Sequence, residues 1–103
     1  MSDELDPLIH ATSRLRIMTT LASLNDDMTI SFAKLADLLD MTPGNLSVHL
    51  TKLEQAGYVR IEKTFEGRKL ATYAAITPEG RTAFDRYLAA LKRLLAPLEE
   101  QEG

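Results

Sequence analysis

His10 and His49 are the only histidines in the chain of 103 residues, and there is no cysteine. Disulfides and thiolate metal ligands are therefore excluded. The two imidazoles lie far apart in sequence, and neither sits in a motif with a serine or carboxylate. No glycine-rich phosphate loop or metal-ligand spacing is present. The sequence thus points to no catalytic residue, no metal and no cofactor. What remains is hydrogen-bonding and cationic chemistry, gathered between residues 42 and 69. Thr42, Asn45 and Ser47 carry short polar side chains, Lys52, Arg68 and Lys69 carry fixed charge, and Gly44 and Val48 stand among them. An asparagine amide can bond bidentately to adenine, and a valine can pack on a thymine methyl. A glycine lets another backbone approach closely. Thr42, Ser47 and Lys52 suit phosphate oxygens, which position a protein without reading sequence.

Charge is distributed to match. The net charge is −3, which alone argues against a polyanionic partner. Residues 1–40 hold three Lys/Arg against seven Asp/Glu, and residues 76–103 hold four against five. Residues 41–75 reverse the balance, with Lys52, Arg60, Lys63, Arg68 and Lys69 against three acids. A local patch matters more than the total. Arg60 and Lys63 read equally well as backbone neutralisers or as ordinary strand-surface charges.

The elements that must hold these residues are written in capping chemistry. Asp6-Pro7, Thr42-Pro43 and Thr77-Pro78 each pair an N-cap side chain with a proline at the first helical position. Ser31 is a further cap. Four helices are predicted, over about 7–24, 31–40, 43–56 and 78–95. The first is apolar over a wide arc. The second places Phe32, Leu35, Ala36 and Leu39 on one face. The third repeats this with Leu46, Leu50 and Leu53 and stops at Gly57, a left-handed C-terminal residue. Setting that leucine stripe inward puts Gly44, Val48, Thr51, Lys52 and Gln55 outward, with Asn45 and Ser47 on the flanks. His49 falls at the stripe's edge, where the plainer reading is a packing histidine. After Gly57 the period becomes two: Val59, Ile61 and Phe65 point one way, and Arg60, Glu62 and Thr64 the other. Glu66-Gly67-Arg68 is a turn, and Leu70 to Ile76 a second strand. Arg68 and Lys69 then sit at a hairpin tip, where they can meet the minor groove or its phosphates.

Two short amphipathic helices joined by a tight turn, followed by a hairpin, make a winged helix-turn-helix. The expected fold class is α+β, mainly α: a three-helix core, a β-hairpin wing and a long C-terminal helix, as one domain over residues 1–103. A polar face opposite a leucine stripe is ordinary on any surface helix. The adjoining hairpin gives it meaning.

The residues also resemble known families. Ser13-Arg14-Leu15-Arg16-Ile17-Met18 is similar to the first-helix signature of ArsR-type repressors. Asn45-Leu46-Ser47-Val48-His49-Leu50, continuing Thr51-Lys52-Leu53-Glu54-Gln55-Ala56-Gly57-Tyr58-Val59, is similar to their recognition-helix pattern. Thr72 to Gly80 resembles the wing-to-helix passage of MarR-type regulators. The resemblance covers about residues 8–90 and is strongest to small single-domain winged-helix regulators between these groups. It implies a homodimeric repressor of transcription on a palindromic operator of double-stranded DNA. The cysteine-bearing signature of metal-sensing ArsR proteins is missing, so thiolate metal sensing is not implied.

The last helix carries two apolar stripes. Phe84, Leu88, Leu91, Leu95 and Leu98 repeat at heptad spacing, and Ala83, Tyr87, Ala90 and Leu94 lie beside them. One stripe can cover the first helix and the other is left for a second copy; either can take that place, so Phe84, Tyr87, Leu88, Leu91, Leu94, Leu95 and Leu98 are the candidate dimer-interface residues. The fourth and first helices are thus the expected dimerisation elements, with Pro97 kinking or ending the fourth. The alternative is a winged-helix module that binds protein, which would show exposed apolar residues on its wing. No stretch of about 18 apolar residues is present, which argues against a membrane span. The acidic MSDELDPLIH start does not look like a secretory signal, so the expected location is cytoplasmic.

Overall fold

The structure is a computed structural model and describes residues 4–100; the first three residues of the acidic N-terminal stretch lie outside it. Its elements are α1 (Thr12–Ala22), β1 (Ile30–Ser31), α2 (Phe32–Leu39), α3 (Pro43–Gln55), β2 (Val59–Glu66), β3 (Lys69–Ile76) and α4 (Pro78–Glu100). The strands form an antiparallel sheet in the order β1-β3-β2. One hydrophobic core joins Ile17, Met18 and Leu21 of α1 to Leu35 and Leu39 of α2, the three leucines of α3, and Phe84 and Tyr87 of α4.

Three of the predicted caps behave as such. Ser31 Oγ accepts from Lys34 N at 3.1 Å, Thr42 Oγ1 from Asn45 N at 3.2 Å and Thr77 Oγ1 from Gly80 N at 2.9 Å. Asp6 does something else. Its Oδ1 accepts from Leu8 N at 2.9 Å, but the helix predicted from residue 7 closes as a single turn and α1 starts only at Thr12. Ala11 is extended (φ −145°), and this break buries Ile9 completely while the Leu8 carbonyl accepts from Arg14 Nε at 2.5 Å. Core burial of Ile9 thus outweighs continuation of the helix.

At the other end of α3 a full Schellman closure forms. Tyr58 N donates to Leu53 O at 3.0 Å and Gly57 N to Glu54 O at 2.9 Å, with Gly57 at φ +81°. The strand β1 was not expected: two residues are too few to show alternation. It pairs Ile30 with Ala74 and Ser31 with Tyr73, and so fixes the start of α2 against the hairpin. β2 and β3 pair throughout, from Val59–Ile76 to Glu66–Lys69. Gly67, at φ +67°, and Arg68 make the two-residue turn.

The fourth helix does not end at Pro97. It runs on to Glu100, with Pro97 inside its last turns, where a proline interrupts little of the ladder. Nor does its core contact follow one of the two stripes. Its buried hydrophobic residues are Phe84, Tyr87 and Ala90, with Ala83 and Leu91 half-buried. Beyond Leu91 every leucine of the helix is exposed, and the domain as a whole is elongated, 58 Å in its longest dimension.

Candidate nucleic-acid interface

Burying Leu46, Leu50 and Leu53 sets the roll of α3. Each leucine contributes about 1.5–3 kcal/mol on leaving water, more than any polar contact on the opposite face could repay by rotating the helix. The consequence is that Thr42, Gly44, Asn45, Ser47, Val48 and Lys52 are all exposed. Val48 is 54% exposed, an apolar side chain held in water on the first turns of the helix. Arg68 and Lys69 are exposed at the end of the hairpin. The structure therefore brings the predicted α3 residues to one face and leaves the wing-tip pair free in solvent.

Between α3 and the hairpin lies an open cavity of about 550 Å³, lined among others by Ser47, Thr51, Ile61, Lys63 and Thr72. Lys63 is thus a charge looking toward α3. Arg60 points to the other face of the ribbon, where its Nε lies 2.6 Å from Glu62 Oε2. Among the described residues Lys52, Lys63, Arg68 and Lys69 are in no ion pair, so their charges are available to an external anion.

The arrangement is held by Arg14, Arg16 and Arg81, whose contacts no local sequence pattern shows. Arg16 donates to Leu39 O at 2.7 Å, closing the end of α2 onto α1. Arg81 donates to Ala22 O at 3.1 Å and Leu24 O at 2.8 Å, and its Nε lies 3.1 Å from Asp26 Oδ1. A cation on the last carbonyls of α1 complements the helix dipole. Arg14 reaches 3.3 Å from His49 Nδ1. Burial first, then the Arg14 and Lys52 charges, push the His49 pKa down from 6.5, so the imidazole is neutral at pH 7 and accepts from the guanidinium. His49 is a packing and orienting residue behind the α3 face.

His10, itself exposed, hydrogen-bonds the Tyr87 hydroxyl (Nδ1 to Oη 2.9 Å) and so ties the segment before α1 to α4. Tyr58 donates to Asp6 Oδ2 at 2.6 Å, and that bond, followed by burial, raises the tyrosine pKa to about 12. Tethers between partners this distant in sequence leave no local pattern. Among the described residues no group of three or more His, Cys, Asp or Glu is placed to hold a metal ion.

A leucine-anchored helix with an exposed polar N-terminal half, followed by a hairpin with free cations, is the geometry of a DNA-reading wing and helix. The sequence pattern of the winged helix DNA-binding domain matches residues 13–95. The chain belongs to that family. It is 32% identical over 92 residues to an uncharacterised protein of Methanocaldococcus jannaschii, covering 89% of this chain and 97% of that one. A transcriptional regulator homologue from Pyrococcus horikoshii has a TM-score of 0.80 and 32% identity, over 88% of this chain and 87% of the other. AbsC, a MarR family regulator from Streptomyces coelicolor, has a TM-score of 0.64 and 25% identity, over 93% and 69%. The winged-helix domain described above is therefore that of a MarR-like, DNA-binding transcriptional regulator and not an enzyme. No helix among its described residues is long and apolar enough to cross a membrane.

Proposed function

We propose that this winged-helix protein is a homodimeric repressor that reads a palindromic operator, with α3 in the major groove and the β2–β3 hairpin on the adjacent minor groove. The observation that carries the DNA assignment is the shared exposure of Thr42, Gly44, Asn45, Ser47 and Val48 on the N-terminal half of α3, which is the part of a recognition helix that reaches base edges. In this reading Asn45 and Val48 contact bases, Thr42, Ser47 and Lys52 contact phosphates, Gly44 admits the duplex backbone, and Arg68 and Lys69 engage the minor groove or its phosphates.

The dimer rests on the C-terminal half of α4. Phe84 and Tyr87, expected at the interface, are 7% and 2% exposed and already packed in the chain's own core, so they are unavailable to a partner. Leu88, Leu94, Leu95 and Leu98 are exposed, with Leu91 half-buried beside them. An apolar run of this kind on a projecting helix favours a twofold contact with a second copy. No large hydrophobic residue of α1 is exposed, so α4 is the principal dimerisation element.

Selection of bound duplexes from a random DNA pool tests the assignment. An inverted repeat is expected; enrichment of single half-sites would refute the twofold reading, and no enrichment the DNA reading. The protein-binding alternative is favoured by one observation, the exposure of Phe65 and Leu70 on the wing.

A further inference from the structure

Phe65 and Leu70 are cross-strand partners next to the hairpin turn, and they are 70% and 58% exposed. Alternation along the ribbon puts them on the face that also carries Val59–Ile76, Ile61–Ala74 and Lys63–Thr72. Burial declines along this face. Val59, Ile76 and Ala74 lie in the core, Ile61 and Thr72 are half-buried, and Lys63 is exposed. The core has ended by Lys63, yet the next pair outward is apolar again. Exposed strand tips in soluble proteins are usually blunted by charge, so two large apolar side chains here call for an occupant.

The direction of this face identifies the occupant. The cavity between hairpin and α3 is lined from the hairpin side by Ile61, Lys63 and Thr72, and from α3 by the exposed Ser47 and Thr51. Phe65 and Leu70 therefore lie on the side of the ribbon turned toward α3, further out along the same surface. The reverse face carries Arg60, Glu62, Glu66 and Lys69; Arg60 is paired with Glu62 and Glu66 is bonded by Tyr73 Oη at 2.5 Å, so this face offers a polyanion no net positive charge. Beside the apolar pair stand Lys63, on the same face, and Arg68, in the turn, neither of them in an ion pair among the described residues. Cations around an apolar tip, continuous with the α3 face, complement nucleic acid better than an apolar protein groove.

We propose that Phe65 and Leu70 form a wedge that enters the minor groove beside the α3 contact and parts a base step there. The proposal rests on the DNA reading above. Phe and Leu are among the side chains that insert between base pairs from the minor groove and kink the duplex. Fully paired strands of eight residues and a two-residue turn make a stiff support for such a wedge. Pyrimidine–purine steps unstack most readily, so the wedge adds a preference for such a step at a fixed distance from each α3 half-site, without any base hydrogen bond.

The test uses the full chain and a duplex selected by it, with 2-aminopurine placed in turn at each adenine flanking the half-sites. Wild type at saturation is expected to raise fluorescence at one step per half-site, as unstacking relieves quenching. Phe65→Ala and, independently, Leu70→Ala should lose that rise and weaken binding by about tenfold each. Phe65→Met should retain most of both. Lys52→Ala should weaken binding yet keep the rise at saturation, which separates the wedge from backbone contacts. No rise at any flanking position in the saturated wild-type complex, or unchanged affinity in Phe65→Ala, overturns the wedge while leaving the DNA reading intact. A change in molecular mass on Phe65→Ala, with DNA binding unaltered, would make the tip a protein contact and overturn it as well. If wild type selects no duplex at all, the DNA reading and the wedge fall together.

Discussion

Asn45 and Lys52 lie on the same exposed side of α3 and should nevertheless fail differently. Asn45 is in the first turn, where its amide can meet major-groove edges that distinguish all base pairs. Asn45→Ala should cost about 1–3 kcal/mol on the preferred operator and little on random DNA. Lys52→Ala should lower affinity on all sequences alike and reduce the salt slope by about one phosphate's worth. Titrating both variants on specific and random duplexes at several salt concentrations checks the pair; a change of base preference in Lys52→Ala would place that lysine at a base. Tyr58 offers a pH test of the tether to Asp6. Its pKa is raised from 10.0 to about 12, so the folded state favours the neutral phenol. The stabilisation is fully present below pH 10 and is lost as pH rises through about 12. In Asp6→Asn the phenolate absorbance should develop at lower pH, with an earlier loss of stability in alkaline melts. An unchanged titration would show that the Asp6 bond is not the cause.

The junction between hairpin and α4 is where elements constrain one another most tightly. Thr77 donates from Oγ1 to Gly57 O at 2.6 Å and from its backbone N to Tyr58 O at 3.1 Å, while the same hydroxyl oxygen caps α4. One residue thus joins the end of α3, the start of β2 and the start of α4. Gly80 sits over this junction, and a Cβ there would fall inside contact distance of the Tyr58 carbonyl oxygen and 2.9 Å from Ile76 Cγ1. Backbone cannot yield as a flexible side chain does. Gly80→Ala should therefore destabilise the domain by about 1–3 kcal/mol despite alanine's better helix propensity. A thermal melt decides; a stabilised variant would mean that α4 can shift away from β2 freely.

The domain is drawn out at α4, and assembly follows from that shape. Phe84, Tyr87 and Ala90 are consumed by the core, whereas Leu94 and Leu98 are left 63% and 61% exposed among the described residues. Light scattering should give a mass near twice 11.5 kDa. Leu94→Lys with Leu98→Lys should give a monomer with an unchanged fold, because neither side chain enters the core. The monomer should bind a single half-site weakly, as the effective concentration of the second α3 is lost. A wild-type monomer at micromolar concentration would refute the dimer.

Much was determined by the sequence alone because local chemistry is decisive there. Ser31, Thr42 and Thr77 cap their helices, the α3 leucine stripe directs Asn45 and Val48 to solvent, and Gly67 closes the hairpin; each acts over a few residues. The winged-helix family, too, was legible, its MarR likeness carried by the run from Thr72 to Gly80. Other features were decided by contacts between residues distant in the chain. Ile9 is drawn into the core and delays α1, β1 exists because β3 lies beside it, and Arg81 serves the end of a helix far upstream. α4 buries a line across both of its stripes because its packing angle on the domain, not its period, selects which side chains meet the core. Phe65 shows the same limit. Alternation correctly places it on the face of Val59 and Ile61, but only the tertiary structure sets how far the core extends beneath that face, and it ends before Phe65 is reached.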